Sequence, residues 1–409
     1  MAVGSRVDLR FMKTRALLPV FFLLAGLLSA AERITLTASH ALETARPAEM
    51  IAVPWADLAK SFGGNIEPDK LVVRDSAGRP LVYQFTNFHP DDRAGRYDEI
   101  LFQHDFAAGE KSATFTIERA AAPVPPAPAR VFARHVPERY DDFAFENDRI
   151  AHRIYGPGLE TDVAGRSRMV GSGIDVWCKR VPYLVVDRWY LRGHDAYHKD
   201  NGEGLDFYSA GTTRGAGGTG VWDGQRLRVS QNWRACRVIA NGPLRAVFEL
   251  TYATWDAGNG ATVSEVKRFT VDAGHNLHRV ESTYSVRGAP TVEVALGLGK
   301  MKDKGRELAA DTINDMSAGL MTRWTTHANQ PVDGELGTAV VLPGGFSRFL
   351  EDDLNQLGLT PVKDGQMLLH YVGAGWSRSG QFADARAWNS YVSEFAARLA
   401  SPVRVTLTP

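Results

Sequence analysis

Three long runs, Leu244–Tyr252, Val263–Val271 and Leu277–Tyr284, alternate apolar with polar or charged side chains at every second position. That period constrains the fold more than any other feature of the chain. Successive side chains of a strand point to opposite faces, so each run buries one face and wets the other, as antiparallel sheets do. Several such strands within about 270 residues favour one large sandwich over two small ones. Before them, shorter runs at Arg33–Thr37, Lys70–Arg74, Pro80–Phe85, Glu99–Phe102 and Ala113–Ile117 are separated by turn residues such as Ala77-Gly78 and Ala108-Gly109. These read as a small β-sandwich spanning 32–120. Four prolines in Ala121–Ala129 cannot donate to a ladder and make an extended linker, which places the large sandwich at 130–409. Near the end, Trp388, Tyr391, Val392, Phe395 and Leu399 recur at helical spacing after a capping Asp384, predicting one amphipathic helix packed on the sandwich. The expected fold is therefore mostly β.

The first 31 residues have another purpose. Arg6, Arg10, Lys13 and Arg15 precede an apolar run, Ala16–Leu28, which ends in the small residues Ser29-Ala-Ala31. That order is a secretory signal peptide, and the run is shorter than the roughly 20 residues a membrane-spanning helix needs. A periplasmic or extracellular protein is expected. Of 47 basic and 47 acidic residues, this segment holds four and one, leaving 43 and 46 behind. A balance so close to neutral, with no basic block, offers no attraction to nucleic acid or to an anionic membrane, so a soluble small molecule or glycan is the expected partner. An oxidising compartment would permit Cys178 and Cys236 to pair; two buried free thiols are the alternative.

Most familiar catalytic motifs are absent. The run Gly215-Ala-Gly-Gly-Thr-Gly220 fits a dinucleotide-binding pattern, but a turn and strand follow it where a helix N-terminus would have to hold the pyrophosphate. There is no nucleophile elbow, no HExxH, no phosphate-binding loop and no CxxC. The chemical residues concentrate instead between Gly193 and Gly220, where titratable side chains and glycines dominate. Glycine lets backbone approach a ligand closely, so this stretch is a plausible site; a solvated loop of mutually paired charges is the bland alternative. His194 and His198 lie four apart, a spacing that suits a divalent metal with Asp195, Asp200, Glu203 and Asp206 as oxygen ligands, but the flanking glycines argue against a sustained helix. The reading adopted requires no metal and no cofactor. His152 alternates in register with Ile150 and Ile154 and should face the core, leaving Arg149, Arg153 and Tyr155 on the opposite face, where Arg153 could meet an anion. Asp175, Trp177, Lys179 and Arg180 form a second polar cluster. Trp222 and Trp376 lie near glycines, which suits stacking on a sugar ring, although tryptophan in a sandwich is more often core.

Several of these segments together resemble a known family. Glu146–Pro157, Gly173–Arg180, Tyr197–Tyr208 with its Tyr-His-x-Asp-x-Gly-Glu-Gly run, and Gly373-Ala-Gly-Trp376 are similar to the secreted bacterial domain-of-unknown-function family 4861. The resemblance covers most of the chain after Ala31. It implies a galactose-mutarotase-like supersandwich and a setting among polysaccharide-degrading enzymes, often those handling uronic acids. Cys178 stands where glycine is expected. On that footing the leading expectation is β-elimination on a uronate-containing oligosaccharide, by a lyase or dehydratase. The chemistry asks for a cation on the carboxylate, a base for the adjacent proton and an acid for the departing oxygen. Arg153, Lys179 and Arg214 are candidates for the cation, His198 for the base, and Tyr197 or Tyr208 for the acid. Asp175, Glu203, Trp222 and Trp376 are expected to line the substrate site. The rival expectations are a glycoside hydrolase using two of Asp175, Asp200, Glu203 and Asp206, and a glycan-binding protein without turnover.

Overall fold

The computed structural model of the protein describes residues 32–64, 66–90, 97–162, 168–326 and 330–408, together with Met1, Ala2 and Gly4. The apolar run and the small-residue end of the expected signal peptide lie outside them. The described chain is predominantly strand, in antiparallel sheets, with a short helix near the C-terminus.

The small sandwich pairs a five-stranded sheet with a three-stranded one, and Leu36, Phe62, Phe102 and Phe115 fill its core. One member of the larger sheet comes from the far end of the chain: Arg404–Thr408 runs antiparallel to Arg33–Ser39, with Thr408 opposite Thr35. Residues 121–129 contribute no ladder, as their prolines require.

The alternating runs form the centre of an eight-stranded sheet. Arg245–Gly258, Ala261–Asp272 and Leu277–Arg287 are successive neighbours, and Met367–Trp376 pairs with the last of them. Two five-stranded sheets cover its inner face. One is built on Ala216–Trp222, Thr291–Gly299 and Asn355–Lys363, the other on Val131–Val136, Asp142–Asn147, Ala151–Ile154 and Ile174–Lys179. Phe145, Phe248, Phe269, Val294, Leu296 and Val372 meet in the shared core. The large antiparallel sandwich expected from the period-two pattern is thus present. On the other face of the eight-stranded sheet lies the helix Ala385–Ala400. Asp384 caps it, accepting from the Ala387 N–H at 2.8 Å, and Trp388, Val392 and Phe395 are buried on its inner side.

The glycine run Gly215–Gly220 is a strand entry, as the residues after it predict. Gly215 has φ +60°, and a Cβ there would stand 2.1 Å from the Ile174 carbonyl oxygen. This close approach makes the bridge that joins the two five-stranded sheets. Cys178 and Cys236 are free thiols, the first buried in the sheet below the candidate site and the second on the edge strand Ala235–Asn241. The pairing allowed by compartment is not made.

Candidate functional site

Strand register assembles the site. Arg153 sits directly opposite Asp175 on one neighbouring strand and Ala144 on the other, and Asp142 is two residues from Ala144, hence on the same face. The hairpin end that follows Gly204-Leu205 adds Asp206. The result is one guanidinium among three carboxylates: Arg153 reaches Asp175 at 2.5 Å, Asp206 at 3.4 Å and Asp142 at 3.8 Å. All four side chains are buried. Burial pushes the carboxyls up, Asp142 to about 6 and Asp175 and Asp206 in the same direction, while the guanidinium pulls against it. Burial also opposes the charge on Arg153, but the three aspartates outweigh it and hold the guanidinium firmly protonated. Such a cluster holds its carboxyl protons more tightly than carboxyls in water do.

Aromatic rings wall this cluster. Trp177 stacks on Tyr197 with centroids 4.7 Å apart and lies 4.9 Å from Tyr190. Arg139 points in from a neighbouring turn, its Nε 3.5 Å from the Tyr197 hydroxyl. Five buried polar atoms here have no hydrogen-bond partner among the described residues: Arg139 Nη1, Arg153 Nη1, Asp142 Oδ2, Trp177 Nε1 and the Tyr190 hydroxyl. Buried polar groups are nearly always paired, with protein, water or ligand, so several left open in one place make this cluster a candidate site.

His198 forms the open side. Its side chain is 37 % exposed, against 2 % for Asp206 behind it. It follows the single helical turn His194–Tyr197, which the flanking glycines shorten but do not prevent, and its ring packs on Tyr197 at 4.6 Å. Nδ1 donates to the Asp206 carbonyl at 2.7 Å, and the Asp206 carboxylate is 3.6 Å from the same nitrogen. With Nδ1 the donor, Nε2 carries the lone pair and accepts from His194 Nε2 at 3.4 Å. Partial burial lowers the pKa of His198, so the ring is neutral at pH 7. Among the described residues no group of three or more His, Cys, Asp or Glu side chains is arranged to hold a metal ion.

The remaining expected site residues are distributed differently. Lys179 is fully buried, and its ammonium is divided among Glu146 at 2.8 Å and the carbonyls of Asn147 and Tyr183 at 2.9 and 2.7 Å. With all three donors committed, it is not available to a substrate. Arg214 is buried beneath Gly171 and Gly297 and donates to the carbonyls of Thr212 and Thr219; burial brings it down to about 10. Glu203 is held by Arg188, Arg192, Tyr183 and Trp189, which overcome the penalty of burial and bring its pKa to about 2. It cannot act as an acid near neutrality. Trp376 is core: its indole N–H donates to the Asp333 carbonyl at 2.7 Å, and Arg180 covers the ring. Trp222 packs beside Leu227 and Leu350 on the sheet of Thr291–Gly299, not among the site residues. Tyr208 is buried on the side facing Arg323, with its phenol pKa raised by burial.

His152 faces the core as expected, stacked on Phe145 with centroids 5.0 Å apart and with Nδ1 3.0 Å from the Asp175 carbonyl. The opposite face is not wet: Arg153 and Tyr155 are buried by the Val186–Arg192 and Gly204–Gly215 segments. Three members of the site, Arg139, Asp142 and Tyr190, are not among the residues that the sequence points to. Asp142 carries the one usable signal, a carboxylate entering a strand that otherwise reads Phe-Ala-Phe.

A curated relative from Formosa agariphila, "Uncharacterized protein P7", is 30% identical over 389 residues, covering 92% of this chain and 94% of its own. Among solved structures, an alpha-mannosidase from Enterococcus faecalis V583 overlaps with TM-score 0.38 at 8% identity, and a glycosyl hydrolase family 38 protein from the same species with TM-score 0.43 at 9%. Each covers 92% of this chain, which spans about half their length (46% and 48%). Overlaps this loose say nothing about activity. The model of the family described as "Domain of unknown function (DUF4861)" matches residues 38–405, and the chain belongs to that family.

Proposed function

We propose that the protein is an exported carbohydrate-active enzyme that processes uronate-containing oligosaccharides at the Arg153–Asp175–Asp206 cluster, by β-elimination with His198 as proton acceptor. The observation that carries this reading is the half-exposed imidazole of His198, oriented from behind by Asp206 and backed by buried donors and acceptors that lack partners. His198 Nε2 takes the proton from the carbon beside the substrate carboxylate. The electron pair left on that carbon forms the carbon–carbon double bond as the bond to the leaving oxygen breaks. That oxygen receives a proton from Tyr197, whose hydroxyl faces Arg139.

Hydrolysis is a second reading with an observation of its own: burial raises the Asp142, Asp175 and Asp206 carboxyls, Asp142 to about 6, which is the direction a general acid needs. Against it, all three share one guanidinium behind His198 and do not flank an open cleft. A panel of uronate-bearing oligosaccharides separates the two readings. Elimination produces a double bond that absorbs in the ultraviolet with no gain of water; hydrolysis adds the mass of water and no absorbance. If no member of a broad panel changes mass, neither enzymatic reading survives.

A further inference from the structure

Lys179 and Arg214, the cations first expected to meet a uronate carboxylate, are engaged inside the fold, but Arg323 and Lys300 make a second pair of nearly buried cations. Arg323 lies on strand Leu320–Thr326 with its side chain 4 % exposed, and Lys300 follows Thr291–Gly299 with 9 % exposed. The Tyr208 hydroxyl is beside this stretch: a Cβ on Gly299, the residue before Lys300, would stand 2.8 Å from it.

What neutralises these cations is unusual. Glu307 reaches Arg323 at 2.5 Å and Lys300 at 3.4 Å, yet Glu307 is 40 % exposed and belongs to the two-stranded hairpin Lys302–Glu307, paired only at Lys302–Glu307 and Asp303–Arg306. All six hairpin residues are exposed. A hairpin this short is marginal on its own. Glu351, 2.6 Å from Lys300, is more exposed still. Buried cations are ordinarily matched by buried anions; here they are matched by carboxylates reaching in from the surface. Arg323 also keeps a buried Nε–H with no partner among the described residues, so its guanidinium has a donor to spare.

We infer that Arg323 and Lys300 form an anion subsite for the carboxylate of a uronic acid residue, and that Glu307 occupies it in place of the ligand. A sugar carboxylate would exchange one ion pair for another of equal charge, with the free Nε–H of Arg323 completing a two-pronged contact. The inference rests on the reading of the protein as uronate-processing for the identity of the ligand, but not for the existence of the subsite.

The test uses the whole mature protein with sodium glucuronate as probe and glucose as neutral control, read by calorimetry or ligand-observed NMR. Glucuronate should bind and glucose should not. A self-occupied site has its affinity reduced by the fraction of time it is open, so Glu307→Gln should tighten glucuronate by about tenfold if the contact is closed nine-tenths of the time. Lys300→Met should weaken it, with circular dichroism confirming the fold of each variant. Unchanged affinity in Glu307→Gln, or equal binding of glucose, overturns the subsite. Should glucuronate respond as expected while no oligosaccharide is converted, the subsite stands and the reaction assignment fails. Conversion with a KM that neither substitution moves removes the subsite and leaves the reaction assignment in place.

Discussion

Replacing Lys179 by methionine distinguishes a structural lysine from a substrate-binding one. The ammonium and the Glu146 carboxylate are both 0 % exposed and 2.8 Å apart. Methionine fills most of the same volume but leaves a buried carboxylate without its counter-ion, along with the Asn147 and Tyr183 carbonyls that shared the ammonium. Glu146 keeps the backbone N–H groups of Val185 and Val186, which soften the loss but do not neutralise the charge. Removing one partner of a buried pair costs about 3–5 kcal/mol. Against a total of roughly 5–15 kcal/mol for a folded domain, that is a large part of the stability. Urea denaturation followed by tryptophan fluorescence should show the midpoint fall accordingly. The double variant Lys179→Met/Glu146→Gln, which leaves no lone charge, should recover more than half of the loss. If Lys179→Met unfolds at the wild-type midpoint and loses only its affinity for uronates, the lysine is a ligand contact and its three internal bonds do not define its role.

Four further outcomes follow from named contacts. Glu203 titrates near 2 in the folded protein against an ordinary 4.5, so its stabilisation is present in full above 4.5 and disappears as pH falls through 2; thermal melts of wild type and Glu203→Gln should differ most above pH 5 and converge near pH 2. Asp142 has the opposite sign, because a pKa raised from 3.8 to about 6 means the folded state holds its proton more tightly; Asp142→Asn should gain on the wild type in the same melts as pH rises from about 4 through 6 and keep that gain above, and the difference should close below pH 4. Gly215→Ala should lower the melting temperature sharply, since the added Cβ meets the Ile174 carbonyl oxygen at 2.1 Å in a left-handed backbone conformation. Asp384→Ala removes the acceptor for the Ala387 N–H and should cost about 0.5–2 kcal/mol in chemical denaturation.

Period-two alternation makes the long strands legible, because half-buried strands cannot hide that pattern; Arg245–Gly258 and Ala261–Asp272 extend beyond the alternating runs but coincide with them in phase. The helix is equally plain, since its cap and its apolar stripe are local. Where a strand is buried on both faces the pattern fails. Residues Ala151–Ile154 are covered on either side, so the face carrying Arg153, expected to be wet, is instead dry. Of the candidate site, His198, Tyr197, Arg153 and Asp175 are legible from residue type and neighbourhood. Arg139, Asp142 and Tyr190 are not, because only the register of three strands and the return of a distant helix place them together. Lys179 and Arg214 mislead for the same reason: a charge is free or engaged according to partners 33 residues or more away, or according to backbone carbonyls, which no sequence marks.

The strand Arg404–Thr408 has a consequence in time. The small sandwich holds both Arg33–Ser39 and this C-terminal strand, with Thr35 beside Thr408. A chain that emerges from a ribosome or a translocon N-terminus first therefore presents nearly all of this sandwich early, yet cannot seal its sheet until residues 404–408 have appeared. Until then Arg33–Ser39 has one open edge, the kind of surface that recruits strands from other chains. Closure of the small sandwich therefore waits for the residues of the large one, which must stay unentangled with that open edge in the interval.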